Sequence, residues 1–438
     1  MDPHVFSRRT WLRGAATLGA ATALGGTAGC SRDDDALTFF FAANPEEADA
    51  RKVVIDAFRR AHPDIAVRTV LSGPNPMQQV SIFCAGGVCP DVLMAWEFSY
   101  AGLADRGVLA DLNGFLQTDP DFAAGLSDDS IDTLYETFTF EGGQYALPEQ
   151  WSGNFLFYNP ALFEEAGVRP PPARWETPWS FDEFLDAAKA LTKRDRSGRV
   201  TRWGFVDTWV AAYSAALFGM NNGTPWSVPR MNPSHLNFDD DAFLAGVQFY
   251  ADLSNRHGVA PAASDVQSMS TMDLFSGGRA AMAMGGHWRY QTFARAEDLH
   301  FDVTVLPTGP AARRAGSNIG TTGLAIAADS PRKQQAWEFV KFVAGPAGQA
   351  HIAESGLFVP VLRSAIDSAG FAGAHADIAN LAVLTGGPAH SAGMPIAPAW
   401  EKVNALMNRA FGPVLRGARP ASSLKALTGP VDEVLVRR

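Results

Sequence analysis

Short apolar runs alternate with amphipathic stretches over the first hundred residues that follow a polar segment. Leu37 to Ala42 reads LTFFFA, apolar at nearly every position, which predicts a strand buried on both faces. Glu46 to Ala61 places Val53, Ile55, Ala57 and Phe58 at helical intervals, and Ile65 to Leu71 returns to a strand. Pro76 to Phe83 predicts a helix, Asp91 to Ala95 a strand, and Ser99 to Asp105 a short helix that stops at Gly107. Strands alternating with helices imply βαβ units and a mostly parallel sheet. In such sheets ligands bind beyond the carboxyl ends of the strands. That rule points to Ala43–Glu46, Ser72–Gly73 and Trp96–Glu97.

Gly142 to Asn159, GGQYALPEQWSGNFLFYN, breaks the rhythm. It opens on a glycine turn and then runs extended, with Tyr145, Leu147, Phe155, Phe157 and Tyr158. Pro148 removes a backbone donor in its middle, so an ordinary central strand is excluded there. The reading is a crossing between two lobes, with Gln150 and Trp151 presented at a cleft.

Farther on, Pro160 to Gly167 predicts a helix. Ser180 caps another that runs to Leu191, with Glu183 at the capping-box position. Strands are expected at 201–206, 280–285 and 303–307. Helices are expected at 210–218, 239–257, 334–343 and 347–355, and through most of the chain after Ala376. A Pro/Gly/Asn-rich loop spans 221–237 and holds Trp226. Asn318 to Ala327 is a glycine-rich bend that feeds a strand.

The 438 residues are 47% apolar and 19% charged, enough for more than one core. A net charge of -10 makes nucleic acid a poor partner. Eleven tryptophans exceed what a core alone requires, so some are candidates for recognition. No H-E-x-x-H, Gly-Lys P-loop, G-x-S-x-G or strand-linked G-x-G-x-x-G is present. No cofactor or resident metal is expected. A secreted carbohydrate-active enzyme remains the rival, with Glu149 beside an aromatic as its candidate carboxylate.

Ser7-Arg8-Arg9-Thr10-Trp11-Leu12-Arg13 resembles a twin-arginine export signal, and 14–29 is a small-residue apolar stretch too weak for a membrane span. Thr27-Ala28-Gly29-Cys30 resembles a lipoprotein cleavage box, which implies lipidation of Cys30 after removal of most of 1–30. Residues 31–35 read as a solvated linker. Cys84 and Cys89 then remain as an even pair in an exported chain. They suit a disulfide around Ala85-Gly86-Gly87-Val88, or two reduced core thiols.

Several blocks in order resemble the extracellular solute-binding proteins of family 1, the carbohydrate receptors of ATP-binding-cassette importers. They are Pro90-Asp91-Val92-Leu93, Tyr145-Ala146-Leu147-Pro148, and Tyr158-Asn159-Pro160-Ala161-Leu162-Phe163. Trp179-Ser180-Phe181-Asp182-Glu183-Phe184, Phe275-Ser276-Gly277-Gly278-Arg279-Ala280-Ala281-Met282, and Gly286-His287-Trp288 follow. Val305-Leu306-Pro307, Gly323-Leu324-Ala325-Ile326 and Ala336-Trp337-Glu338-Phe339 complete the series. The resemblance covers roughly 37–438.

It implies an α/β, two-lobed periplasmic-binding-protein type II fold with a hinge and an interlobe cleft. The expected lobes are 36–143 plus 322–368 and 144–321 plus 369–438. It also implies a monomer on the outer face of the cytoplasmic membrane that hands a mono- or oligosaccharide to permease subunits.

Sugars present flat apolar faces to aromatic rings and hydroxyl rims to fixed polar groups. The expected ligand-binding residues are therefore Trp151 and Gln150 at the crossing and Trp288 after the paired glycines. Trp96 and Glu97 follow the third strand, and Asn44 and Glu46 follow the first. Thr322 and Gly323 lie in the glycine-rich bend, Trp209 and Trp226 in the loops, and Trp400 after a proline-rich turn. Arg289 beside Trp288 keeps open a second ligand class, glycerol phosphate or a glycerophosphodiester.

Overall fold

The first three predicted strands pair as their apolar faces require. β1 (Leu37–Phe41) lies parallel to β2 (Val67–Leu71) on one side and to β3 (Val92–Trp96) on the other, with Phe39 opposite both Thr69 and Val92. The computed structural model describes residues 35–436 except 74, 210, 267–268 and 313–314. The export signal, Cys30 and linker residues 31–34 lie outside the described residues.

The helix after β1 spans Pro45–Ala61. Asn44 accepts from the Glu47 amide while the Glu47 carboxylate accepts from the Asn44 amide, and Pro45 occupies the first turn, where its missing donor does no harm. Its buried face is Val54, Ile55 and Phe58, whereas Val53, expected on that face, is half exposed. A rotation of 100° per residue carries Val53 off the stripe.

A hairpin of β4 (Thr139–Phe140) and β5 (Gly143–Gln144) precedes the crossing. Its two turn residues, Glu141 and Gly142, both have positive φ, the geometry that matches strand twist in a two-residue loop. β6 (Leu147–Ser152) then joins the first sheet and β7 (Asn154–Tyr158) belongs to a second.

Only Gly153 separates them. A Cβ there would sit 2.9 Å from both the Phe155 ring and Ser317 Oγ, so the passage needs glycine for close approach.

The second sheet adds β8 (Lys193–Arg194), β9 (Val200–Asp207), β10 (Ala280–Gly286) and β11 (Asp302–Thr304), in the order β11-β7-β10-β9-β8. β10 runs parallel to β9 and antiparallel to β7, so this sheet is mixed.

β12 (Asn318–Ile326) closes the first sheet, antiparallel to β3 and to β6, and its first residues pair with β13 (Ala392–Gly393). Pro148 lies in β6, which pairs with β12, and the register slips between Thr322 and Gly323 as it passes. An edge-strand position next to a bulge tolerates the missing donor. β13 interrupts the helical C-terminal part expected after Ala376.

Each sheet has its own core. Phe39, Phe58, Trp337 and Phe339 pack on one side of the first, and Phe184, Phe205, Phe218, Phe243 and Met282 on one side of the second. Ser180 caps helix Phe181–Leu191 with Glu183 completing the box, as its spacing predicts. Cys84 and Cys89 are disulfide-bonded around the loop between helix Pro76–Ala85 and β3.

Candidate functional site

A cleft of about 550 Å³ opens where the carboxyl ends of β1, β2 and β3 face the ends of β9 and β10. The segments after β1 supply Ala42, Ala43, Glu47 and Arg51. Ser72 and Gly73 follow β2, and Trp96, Glu97 and Phe98 end β3. Across from them stand Trp209 and Tyr213 after β9 and Trp288 after β10. The crossing strands β6 and β12 form the floor with Gln150, Trp151, Ser152, Gly320, Thr321 and Thr322.

The floor carries a preordered polar strip. Gln150 Nε2 donates to Thr322 Oγ1 at 2.9 Å, and that hydroxyl donates to Glu149 Oε1 at 2.9 Å. Glu149 in turn accepts from both terminal guanidinium nitrogens of Arg51, at 2.7 and 2.8 Å, and both partners are buried. Arg51 also lies over the Phe41 ring, 5.4 Å from its centre. A bidentate pair of this kind fixes two side chains and neutralises the only Arg or Lys lining the cleft among the described residues. It also engages both Glu149 oxygens.

Glu97 is only 3% exposed. It is held at the end of β3, where its amide donates to Thr321 O and its Oε2 accepts from the Thr321 amide, both at 3.2 Å. Burial pushes its carboxyl up to about 7, against hydrogen bonding to the carboxylate from its own amide and the Thr321 amide and against the positive field of Arg230. Burial likewise raises Glu47, opposed by its hydrogen bond to the Asn44 amide and by Arg51 and Arg289.

The aromatic wall is continuous. The Trp288 and Trp209 ring centres are 6.4 Å apart, Trp209 and Tyr213 5.6 Å, Tyr213 and Trp226 5.9 Å, and Trp226 and Trp400 6.2 Å. The first three rings face the cleft. Trp226 and Trp400 are buried behind them, in the core of the second sheet.

Of the residues expected from sequence, Trp96, Glu97, Gln150, Trp151, Trp209, Trp288 and Thr322 border the cleft. Trp151 does so while only 1% exposed, with its indole packed on Gly387 and no partner for Nε1 among the described residues. Five others do not border it. Asn44 serves as a helix cap, and Glu46 pairs with Arg295 at 3.3 Å. Gly323 lies in the sheet, where a Cβ would meet Leu147 O at 2.8 Å. Trp226 and Trp400 form the core support just described. Arg289 donates to Thr208 O at 2.8 Å and is not part of the lining.

Arg51, Glu47 and Tyr213 line the cleft without having been anticipated. Tyr213 lies in the first turn of helix Ala211–Met220, four residues after Trp209, and its ring meets that indole. Its hydroxyl donates to Asn404 Oδ1 at 2.8 Å, which fixes the ring. Arg51 lies one turn and a half inside a helix, where a charge reads as solvated until its partner across the fold is known. No group of three His, Cys, Asp or Glu able to hold a metal occurs among the described residues. Nor is any described helix long and apolar enough to cross a membrane.

Known proteins match this architecture. A lipoprotein of Streptomyces antibioticus is 27% identical over 364 residues, covering 81% of this chain and 78% of its own length. A galactooligosaccharide-binding protein of Bacillus subtilis is 23% identical over 335 residues, covering 73% and 71%. Among solved structures, an ABC substrate-binding protein of Listeria monocytogenes in complex with cycloalternan superposes with a TM-score of 0.81. It is 22% identical and covers 91% of this chain and 98% of that one. The family description that matches residues 42–350 is "bacterial extracellular solute-binding protein". With that match spanning well over half of its length, and with two sheets meeting at an aromatic cleft, the chain belongs to the bacterial extracellular solute-binding protein family.

Proposed function

We propose that this protein captures a neutral carbohydrate in the cleft and delivers it to the permease of an ABC importer. The observation that carries the reading is the gathering of indole rings, Trp96, Trp209 and Trp288, around the Gln150–Thr322 polar strip in one cleft. Rings supply a stacking surface for a sugar face and the strip supplies a hydroxyl partner already in place. The binding role named for the Bacillus subtilis relative agrees with it. The charge balance favours a neutral ligand over a phosphorylated one. The charged residues lining the cleft are Glu47, Arg51 and Glu97, and Arg51 is bonded to Glu149 through both nitrogens. A phosphate would find carboxylates without a free cation.

Function in this reading is capture and release without turnover. The ligand touches both lobes only when they close, so its differential affinity selects the closed state. The lobes are 36–143 plus 322–368 and 144–321 plus 369–438. Gly153 and the start of β12 lie at the passages between sheets. The twin-arginine segment exports the monomeric chain, and Cys30 carries the lipid that holds it on the outer face of the membrane.

The deciding experiment is a thermal-shift screen against mono-, di- and trisaccharides and glycerol phosphates. A bound ligand raises the melting temperature by mass action. A sugar is expected to do so, and Trp288→Ala to weaken its binding by about tenfold, the loss of roughly one aromatic stacking contact. A shift from the phosphates alone overturns the carbohydrate reading.

A further inference from the structure

Behind the cleft, two imidazoles meet. His287 follows β10 and His375 follows helix Ala369–Ala374, and they are 0% and 1% exposed. Their Nε2 atoms are 2.8 Å apart. His287 Nδ1 lies 2.9 Å from Leu357 O, and His375 Nδ1 lies 2.8 Å from Phe371 O. A carbonyl oxygen only accepts, so each Nδ1 must carry a hydrogen to make its contact. Two bare Nε2 lone pairs repel, so one of that pair must carry a hydrogen too. Three contacts need three protons, and two neutral imidazoles bring two.

The surroundings leave the proton count to the pair itself. Tyr290 packs on both rings, at 5.8 and 4.7 Å between centres, and donates its hydroxyl to Ala374 O. Phe371 packs on His375 at 4.3 Å. The titratable and charged groups on the elements packed here are Arg289, Tyr290, His351, Glu354 and Asp377. Arg289 donates to Thr208 O and His351 faces Glu354. Asp377 acts on Tyr290 through its field. No described carboxylate hydrogen-bonds to either ring. Burial, and then the neighbouring imidazole, push His287 well down, and burial pushes His375 down. These forces oppose the third proton as well as a fourth, and the three short contacts are what favours it. Removal of the third leaves two lone pairs, or a lone pair and a carbonyl oxygen, face to face.

The pair also sits where it can set the shape of the cleft. The His287 amide donates to Ser152 Oγ at 2.8 Å, and its ring holds the carbonyl of Leu357. Ser152, Trp288 and Phe358, each of which lines the cleft, are therefore a partner or a chain neighbour of this contact. We propose that His287 and His375 act as one positioning unit that retains a single shared proton and thereby holds Ser152, Trp288 and Phe358 in register across the two sheets. The inference concerns the chain's own proton balance and stands whatever ligand the cleft takes.

The test is proton linkage in the ligand-free full chain. Free histidines titrate near 6.5, so above about pH 7 the unfolded pair binds close to two protons and the folded pair three. Folding then takes up a proton, and the folding constant drops about tenfold for each pH unit until the shared proton leaves. Below about pH 6 the unfolded pair binds four, and folding releases one.

Urea unfolding of the wild type and of His375→Gln is compared at half-unit steps from pH 6.5 to 8.5. The Gln amide donates to His287 Nε2 without an added proton, so the variant is expected to lack this pH-dependent loss. Equal slopes for the two proteins overturn the proposal.

Should the variant fail to fold, nitrogen-15 spectra of the wild-type histidines at pH 7.5 decide. The expected pattern is two protonated Nδ1 atoms and one proton shared between the Nε2 atoms, and two neutral rings refute it. The Trp288 indole N–H resonance, assigned by its loss in Trp288→Phe, should move with the same midpoint. A Trp288 signal indifferent to that titration overturns the positioning role.

Discussion

Arg51 and Glu149 form a buried ion pair under the floor of the cleft, with Thr322 bonded to one carboxylate oxygen. Removing one partner strands the other charge in a low-dielectric site. Glu149→Ala is therefore expected to lower stability by about 3–5 kcal/mol in urea unfolding, and Arg51→Met with Glu149→Leu to recover much of that loss.

Glu97 behaves oppositely. Its carboxyl ordinarily titrates at 4.5 and is pushed up to about 7 by burial. A raised folded value means that its neutral form is the one the fold accommodates. The contribution is fully present below 4.5 and is lost as pH rises through 7. Glu97→Gln, neutral at every pH, is expected to be less sensitive over that window. It should gain up to about 3 kcal/mol on the wild type at pH 8, read from urea midpoints at pH 4.5 and 8.

At the scale of elements, the sequence was most legible where one face of the chain decides the structure. β1, β2 and β3, the helices between them and the capping box at Ser180 follow from spacing and cap chemistry. The crossing was legible for a different reason. Pro148 excluded a regular central strand, and β6 answers by pairing with β12 across a register slip. What spacing did not show is that the passage takes one residue. Gly153 has the Phe155 ring and Ser317 Oγ 2.9 Å from where a Cβ would be. Gly153→Ala is expected to cost about 1–3 kcal/mol through overpacking, measured by thermal or urea unfolding. A loss well below that range would mean that the two strands shift freely at the crossing.

At the scale of the molecule, the two sheets carry separate cores and are joined where β6 of the first passes through Gly153 into β7 of the second. Ligand closure is expected to shrink the radius of gyration in small-angle scattering once a thermal-shift hit is in hand. An unchanged radius would make the cleft a rigid pocket.

Composition and order alone determined the α/β class, the turns and caps, and a surplus of tryptophans near strand ends. Those properties depend on neighbours a few residues away. The tertiary structure alone decided which tryptophans face the cleft and which support it. Trp209 and Trp288 border it, while Trp226 and Trp400 stand behind in one chain of rings. It alone also paired Arg51 with Glu149, 98 residues on, and His287 with His375, 88 residues on. The charge of a buried group depends on what the fold brings within a few ångströms, and no local pattern encodes a partner that far along the chain.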